Sequence, residues 1–219
     1  MSRFFVAILS LIFPVSVAVI IFVSAGRWNL PMVWGVVAVL TIFLLVLVAI
    51  GDPGMVRERR KPGPGNRDRL TRPLSAVLLP SHWILVGLDV GRFRWSLVPW
   101  EIQIAGLVGY AAAVAVVLWA MRVNPFYSSV VRVQADRGHH PITTGPYRSV
   151  RHPGYAASIL AAVCGGLALG SWLAMLPILA YVALLVRRTL LEDRLLQQEL
   201  DGYAEYAQQV RFRLVKGFF

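Results

Sequence analysis

Between residues 145 and 155 the chain reads GPYRSVRHPGY, setting two arginines, a histidine and two tyrosines among glycines and prolines. Tyr147 and Tyr155 offer flat faces on which an aromatic ligand or a cation can stack. His152-Pro153 reads as the opening of a helix, because proline is tolerated at the first helical position. The free amides of that helix could face an anion. Further along, Arg188 and Glu192 are spaced i, i+4, so on a helix they share one face. Each feature has an ordinary explanation, the tyrosines as an interfacial aromatic belt and the Arg188–Glu192 pair as a surface ion pair. Falling together on one side of a membrane, they propose a binding site.

The elements that must position these groups are membrane helices. The 219-residue chain is 57% hydrophobic with a mean hydropathy of +0.63, and its apolar residues come in long uncharged runs such as Phe4–Ala25, Met32–Ile50 and Ile102–Met121. Each run approaches the roughly 20 residues a helix needs to cross about 30 Å of hydrocarbon. The pattern predicts an all-α, polytopic transmembrane bundle of five or six spans, near 4–24, 32–50, 74–90, 101–121, 154–169 and 171–187. The first span is expected to be retained rather than cleaved, being longer than a signal peptide's apolar region. With the N- and C-termini cytosolic, every Lys and Arg except Arg27, Arg92 and Arg94 falls inside. That bias follows the positive-inside rule. It accounts for the net charge of +11 without nucleic acid, and the basic segments can also hold anionic headgroups.

The chain divides into an N-terminal helical region, 1–121, with a basic loop at 51–73, and a more polar region, 122–219. The loop, rich in Gly, Pro and charge, is expected to lie on the lipid surface and carries no nucleotide-binding glycine motif. Span 74–90 contains Pro80, His82 and Asp89, which predicts a kinked or partly inserted helix with Asp89 at the interface. Residues 129–134 alternate like a strand, Gly170-Ser171 predicts a tight helical hairpin, and the C-terminal helix is expected to break near Gly202. The lone Cys164 excludes disulfides and a Cys-based zinc site and reads as a small buried hydrophobe. Four histidines, His82, His139, His140 and His152, are too few for histidine-cluster iron chemistry, so no metal is expected.

HHPITTGPYRSVRHPGY at 139–155, followed by RRTLLEDRLL at 187–196 and YAEY at 203–206, resembles the isoprenylcysteine carboxyl methyltransferase family, part of a wider group that includes phospholipid methyltransferases. The resemblance covers roughly 122–215, and its most specific part is R-H-P-x-Y with a downstream R-x-x-x-E. It implies a cofactor, S-adenosylmethionine, held at the cytosolic ends of the last helices, and a lipid or lipid-attached acceptor. It assigns Gln134, His139, His140, Pro141, Ile142, Tyr147, His152, Pro153, Gly154, Tyr155 and Glu192 to the cofactor, and Arg188 to the acceptor, with Arg188 and Glu192 catalytic. The acceptor nucleophile stays open between a carboxylate and a phospholipid amine. Two departures stand out: Asp193 follows Glu192 where the family commonly pairs glutamates, and the chain ends in VRFRLVKGFF rather than a V-P-R-x-I-P-like tail. Asp193 is expected to be a tolerated change beside the site. A sterol-reductase-type NADPH enzyme, using Arg137, Arg148 or Arg151 for the ribose phosphate, and a non-enzymatic lipid-binding protein are the competing readings. The expected partners are membrane lipids and the lipophilic acceptor, with no nucleic acid and no obligate protein partner.

Overall fold

The computed structural model describes residues 3–219, with side chains from Val6 onward. Met1 and Ser2 and the side chain of Arg3, and with them the expected placement of the N-terminus, lie outside the described residues. Eight α-helices follow in order among the described residues: α1 Arg3–Ala25, α2 Pro31–Ile50, α3 Pro53–Arg60, α4 Thr71–Val86, α5 Trp100–Val123, α6 Pro153–Ala168, α7 Met175–Glu199 and α8 Tyr203–Gln209. In hydrocarbon a helix satisfies every backbone polar group within itself, so uncharged runs of this length fold no other way.

Among the described residues, four helical segments are long and apolar enough to cross a membrane: Val6–Ala25, Pro31–Ile50, Thr71–Phe93 and Trp100–Val123. The fifth and sixth expected spans correspond to α6, a shorter apolar helix, and the apolar first half of α7. Glycines let these helices approach closely, as small residues do where lipid gives no hydrophobic drive to associate. A Cβ on Gly106 would stand 2.8 Å from the Cys164 carbonyl, and one on Gly109 would stand 2.8 Å from the Cys164 sulfur. Cys164 is thus a packing residue between α5 and α6. Isoleucines and valines such as Ile12, Val19, Val23, Ile42 and Val108 point outward, the inverse of a water-soluble helix.

The first helix is built into the bundle, with Val17, Ile21 and Ala25 buried against residues of α2, α4 and the α6–α7 turn. The α4 segment contains Pro80 and widens into π-helical turns over Gly87–Phe93. Its polar residues are structural latches. His82 is buried and donates from Nδ1 to the Ala174 carbonyl at 2.7 Å. Asp89, expected at an exposed interface, is fully buried: it accepts from the Ser96 amide and hydroxyl and from the Ser171 hydroxyl, tying α4 to the α6–α7 turn. Arg92 and Arg27 close the same end by donating to the carbonyls of Val23, Ser24 and Val90.

At the opposite, basic end the loop 51–73 is more than a lipid-surface linker. Asp52 caps α3 by accepting from the Met55 amide at 2.7 Å. Glu58 is buried and takes two hydrogen bonds from Arg132, both at 2.9 Å. The strand-like segment 129–134 pairs with no strand among the described residues. It is extended because it is strapped to this loop, with the Arg67 amide on the Val131 carbonyl and the Ser129 hydroxyl on the Arg59 carbonyl. The hairpin at Gly170-Ser171 is present, and Gly202, at φ 76°, separates α7 from α8.

Candidate active site

The site is built around the first turns of α6, the middle of α7 and the irregular segment between α5 and α6. They enclose a cleft with about 690 Å³ of empty space, its open mouth included. Ten of the eleven residues assigned to the cofactor line it: Gln134, His139, His140, Pro141, Ile142, Tyr147, His152, Gly154, Tyr155 and Glu192. Pro153 does not. As the first residue of α6 it lines an apolar hollow on the outer face, together with Trp119, Leu160 and Val215, so its part is to start the helix. The Arg151 and His152 amides donate to the carbonyls of Phe212 and Arg213, and those of Tyr155 and Ala156 to that of His152.

Several lining residues hold the walls rather than present free groups. Gln134 is buried, its amide donating to the Phe126 carbonyl at 2.6 Å and its carbonyl accepting from Arg137. The His139 ring lies 4.5 Å from that of Phe126 and accepts at Nδ1 from the Gln134 amide. Burial, with the neighbouring His140, Arg132 and Arg137 adding to it, pushes the His139 pKa down to about 4, so the ring is neutral near pH 7. Tyr147 is buried, with its hydroxyl accepting from Asn124 at 3.0 Å and its carbonyl from the Tyr206 hydroxyl at 2.7 Å. Gly154 has to be glycine, since a Cβ there would lie 2.4 Å from the Tyr127 ring.

Arg188 and Glu192 share a face of α7 as their spacing predicts, but they do not form a surface ion pair. The Tyr155 hydroxyl sits between them, accepting from Arg188 Nε at 2.7 Å and donating to Glu192 Oε2 at 2.6 Å. Arg188 is buried, and its other contact is Asp68 at 3.6 Å. Glu192 forms no ion pair among the described residues, so its charge is left facing the cleft.

Arg188 lines a second hollow, not the cleft itself. That hollow has about 1270 Å³ of empty space, open mouth included, and shares Tyr127, Ser128 and Tyr155 with the cleft as a common wall. Arg59 and Arg72 join Arg188 at its polar side, while Phe43, Leu79, Trp83 and Leu185 make the rest apolar. It continues into a third, apolar hollow through shared residues including Phe13, Phe43 and Tyr181.

Asp193, expected to be a tolerated change, is the hub beneath the cleft. It is fully buried and accepts from Arg151 at 2.7 and 2.9 Å, from His152 at 3.1 Å, from Tyr203 at 3.2 Å and from Arg213 at 2.8 Å. Burial alone would raise its pKa, but the bonds from His152 and Arg151 outweigh that and hold the carboxyl well below the usual carboxylate range. The two departures from the family pattern therefore meet: Arg213 of the unusual tail lands on Asp193. Phe126, Tyr127, Arg132, Leu196, Tyr203 and Tyr206 also line the cleft, although the sequence did not mark them as cofactor residues. The i, i+3 spacing of the last two was the available signal. Leu196 lies on α7, while Phe126, Tyr127 and Arg132 come from irregular backbone that has no period to read.

No curated protein matches the chain. Residues 106–198 match the family model described as Isoprenylcysteine carboxyl methyltransferase (ICMT) family. This segment, similar to the isoprenylcysteine carboxyl methyltransferase family over less than half of the chain, supplies most of the cleft's lining and the whole Arg188–Tyr155–Glu192 chain.

Proposed function

We propose that this is an integral membrane methyltransferase that uses S-adenosylmethionine and methylates a lipid or lipid-attached acceptor, with its basic end on the cytosolic side. One observation carries the reading. A polar, aromatic cleft and a large, mostly apolar hollow abut at Tyr155, whose hydroxyl joins Glu192 of the cleft to Arg188 of the hollow. A water-soluble cofactor and a greasy acceptor each have a compartment, and the wall between them carries the polar chain.

The residues present fit the cofactor. Glu192, without an ion pair among the described residues, brings a carboxylate to a cleft whose walls include Phe126, Tyr147, Tyr203 and Tyr206. The cleft's arginines, Arg132 and Arg151, are paired with Glu58 and Asp193, so it suits a cationic ligand bearing an aromatic base. When bound, that cofactor supplies a methyl group already activated on a sulfonium. The protein's task is to bind, align and exclude water, and such positioning can contribute about 7–11 kcal/mol. Arg188, held by Tyr155 and Asp68, keeps its guanidinium at the edge of the second hollow, where it can clamp an anionic acceptor group. A carboxylate acceptor needs nothing more, being already ionised. An amine acceptor must lose a proton, and Glu192 is the carboxylate placed to take it through the Tyr155 hydroxyl.

The reductase alternative loses ground on the same geometry. Arg151 lines the cleft but is held by Asp193, Arg137 is held by Gln134 and Pro125, and Arg148 lies outside the lining. Calorimetric titration of the purified protein with S-adenosylmethionine, S-adenosylhomocysteine and NADPH tests the assignment. Binding of the adenosyl pair alone is the expected result. Binding of NADPH alone would replace the reading with a reductase, and binding of none by folded protein would favour a lipid-binding role.

A further inference from the structure

A fourth hollow lies outside the site, at the basic end, where α1 begins and α2 gives way to α3. Its empty space is about 960 Å³, open mouth included. Val6, Val48 and Val56 line it with apolar surface, while Arg57, Arg60 and Lys61 stand at its rim, exposed and without an ion pair among the described residues. The nearby acids are committed elsewhere. Glu58 is buried on Arg132, and Asp52 caps α3 and lies 3.8 Å from Arg137. The hollow therefore combines an apolar trough with three uncompensated cations at the height where helix α2 leaves its apolar run. A phospholipid with an anionic headgroup has the matching halves: an acyl chain for the trough and a phosphate for the cations.

We propose that this hollow is a binding site for an anionic phospholipid. The opposite face of α3 gives the site a consequence. Met55 packs among Val117, Met121 and Ala157, Glu58 holds Arg132 and Ser128, and the Arg59 guanidinium sits 5.3 Å from the centre of the Tyr127 ring. Arg132, Ser128 and Tyr127 all line the cleft. One short helix thus presents cations to the lipid and supports the cleft wall, and a bound lipid steadies that wall. This coupling, unlike the binding site, rests on the methyltransferase reading.

Native mass spectrometry of delipidated protein titrated with phosphatidylglycerol and with phosphatidylcholine tests the site. Phosphatidylglycerol is expected to bind as one tight molecule and phosphatidylcholine weakly. R57Q/R60Q/K61Q is expected to lower phosphatidylglycerol affinity about 100-fold, at roughly 1 kcal/mol per cation. Val48→Trp, which fills the trough and leaves the charges, should also lower it. The control R69Q/R211Q/K216Q removes the same charge from exposed positions elsewhere and should leave it unchanged. Equal binding of the two lipids overturns the site, and so does an equal loss in the control. Undiminished affinity in Val48→Trp, or competition by soluble glycerol 3-phosphate at matched concentration, rejects the lipid as occupant. In nanodiscs, S-adenosylhomocysteine should bind more tightly with phosphatidylglycerol than with phosphatidylcholine in the wild type, and equally in the R57Q/R60Q/K61Q variant. Equal affinity in the wild type overturns the coupling. Absence of binding in both lipids counts against the methyltransferase reading, and the lipid titration still decides the site.

Discussion

Tyr155 connects the two compartments, and its hydroxyl is the group the sequence pattern pointed to least. Arg188 and Glu192 could be read as one helical face, but only the fold shows that a tyrosine from α6 stands between them. Tyr155→Phe removes an acceptor from a buried guanidinium, a loss worth about 1.5–3 kcal/mol, so turnover should fall about 10- to 100-fold. Adenosyl-ligand affinity should change far less, and a matching loss of affinity would move Tyr155 into the cofactor's contacts. Arg188→Ala should abolish turnover while calorimetry still detects cofactor, whereas Glu192→Ala should weaken cofactor binding itself. His139 sets a pH window. Its folded pKa is lowered to about 4 from an unfolded value near 6.5, so the unfolded state binds its proton first. The stability it contributes by being neutral is complete above pH 6.5 and is lost as pH falls toward 4. Thermal melts of wild type and His139→Gln across that range should diverge, the variant showing the shallower decline.

At the scale of elements, Asp193 clasps three segments: the start of α6 through Arg151 and His152, α8 through Tyr203, and the tail through Arg213. Removing the shared acceptor strands a buried arginine, so Asp193→Ala should cost about 3–5 kcal/mol. Arg213→Ala leaves Asp193 its other donors and should cost less, releasing the tail rather than the fold. Melting temperatures should follow that order, and limited proteolysis should cut the Arg213→Ala tail first. The reverse order would show the tail, not Asp193, to be the hub. Because the Asp193 pKa is depressed, its contribution is complete above the unfolded carboxylate value of about 3.9 and is lost only as pH falls toward the folded value. Acidification from pH 8 to 5 should therefore spare this clasp. Helix boundaries were legible where the chain carries a local signal, as at Pro153, Gly170 and Gly202. The chain could not show that Arg213 of the tail reaches Asp193, because that is a contact between distant positions made by the folded tail.

At the scale of the molecule, apolar runs announced the helices but not what the space between them holds. Hydropathy reports which segments sit in lipid, and it does not distinguish a side chain facing lipid from one lining an internal hollow. Asp89 shows the same limit: its end-of-span position suggested water, and burial among Ser96 and Ser171 depends on how α4 meets a distant turn. The second and third hollows share walls from Phe13 to Tyr181 and run from Arg188 toward His82. If that continuous apolar space takes the acceptor's chain, its far end should matter only to long chains. Ala162 lines the third hollow and neither of the other two. Ala162→Phe should therefore raise KM for a long-chain acceptor while leaving a short-chain analogue, the turnover number and cofactor affinity unchanged. Each methylene denied burial is worth about 0.8 kcal/mol, so losing two or three of them should raise KM about 10- to 50-fold. An equal effect on both acceptors would place the chain elsewhere and leave the third hollow as packing space.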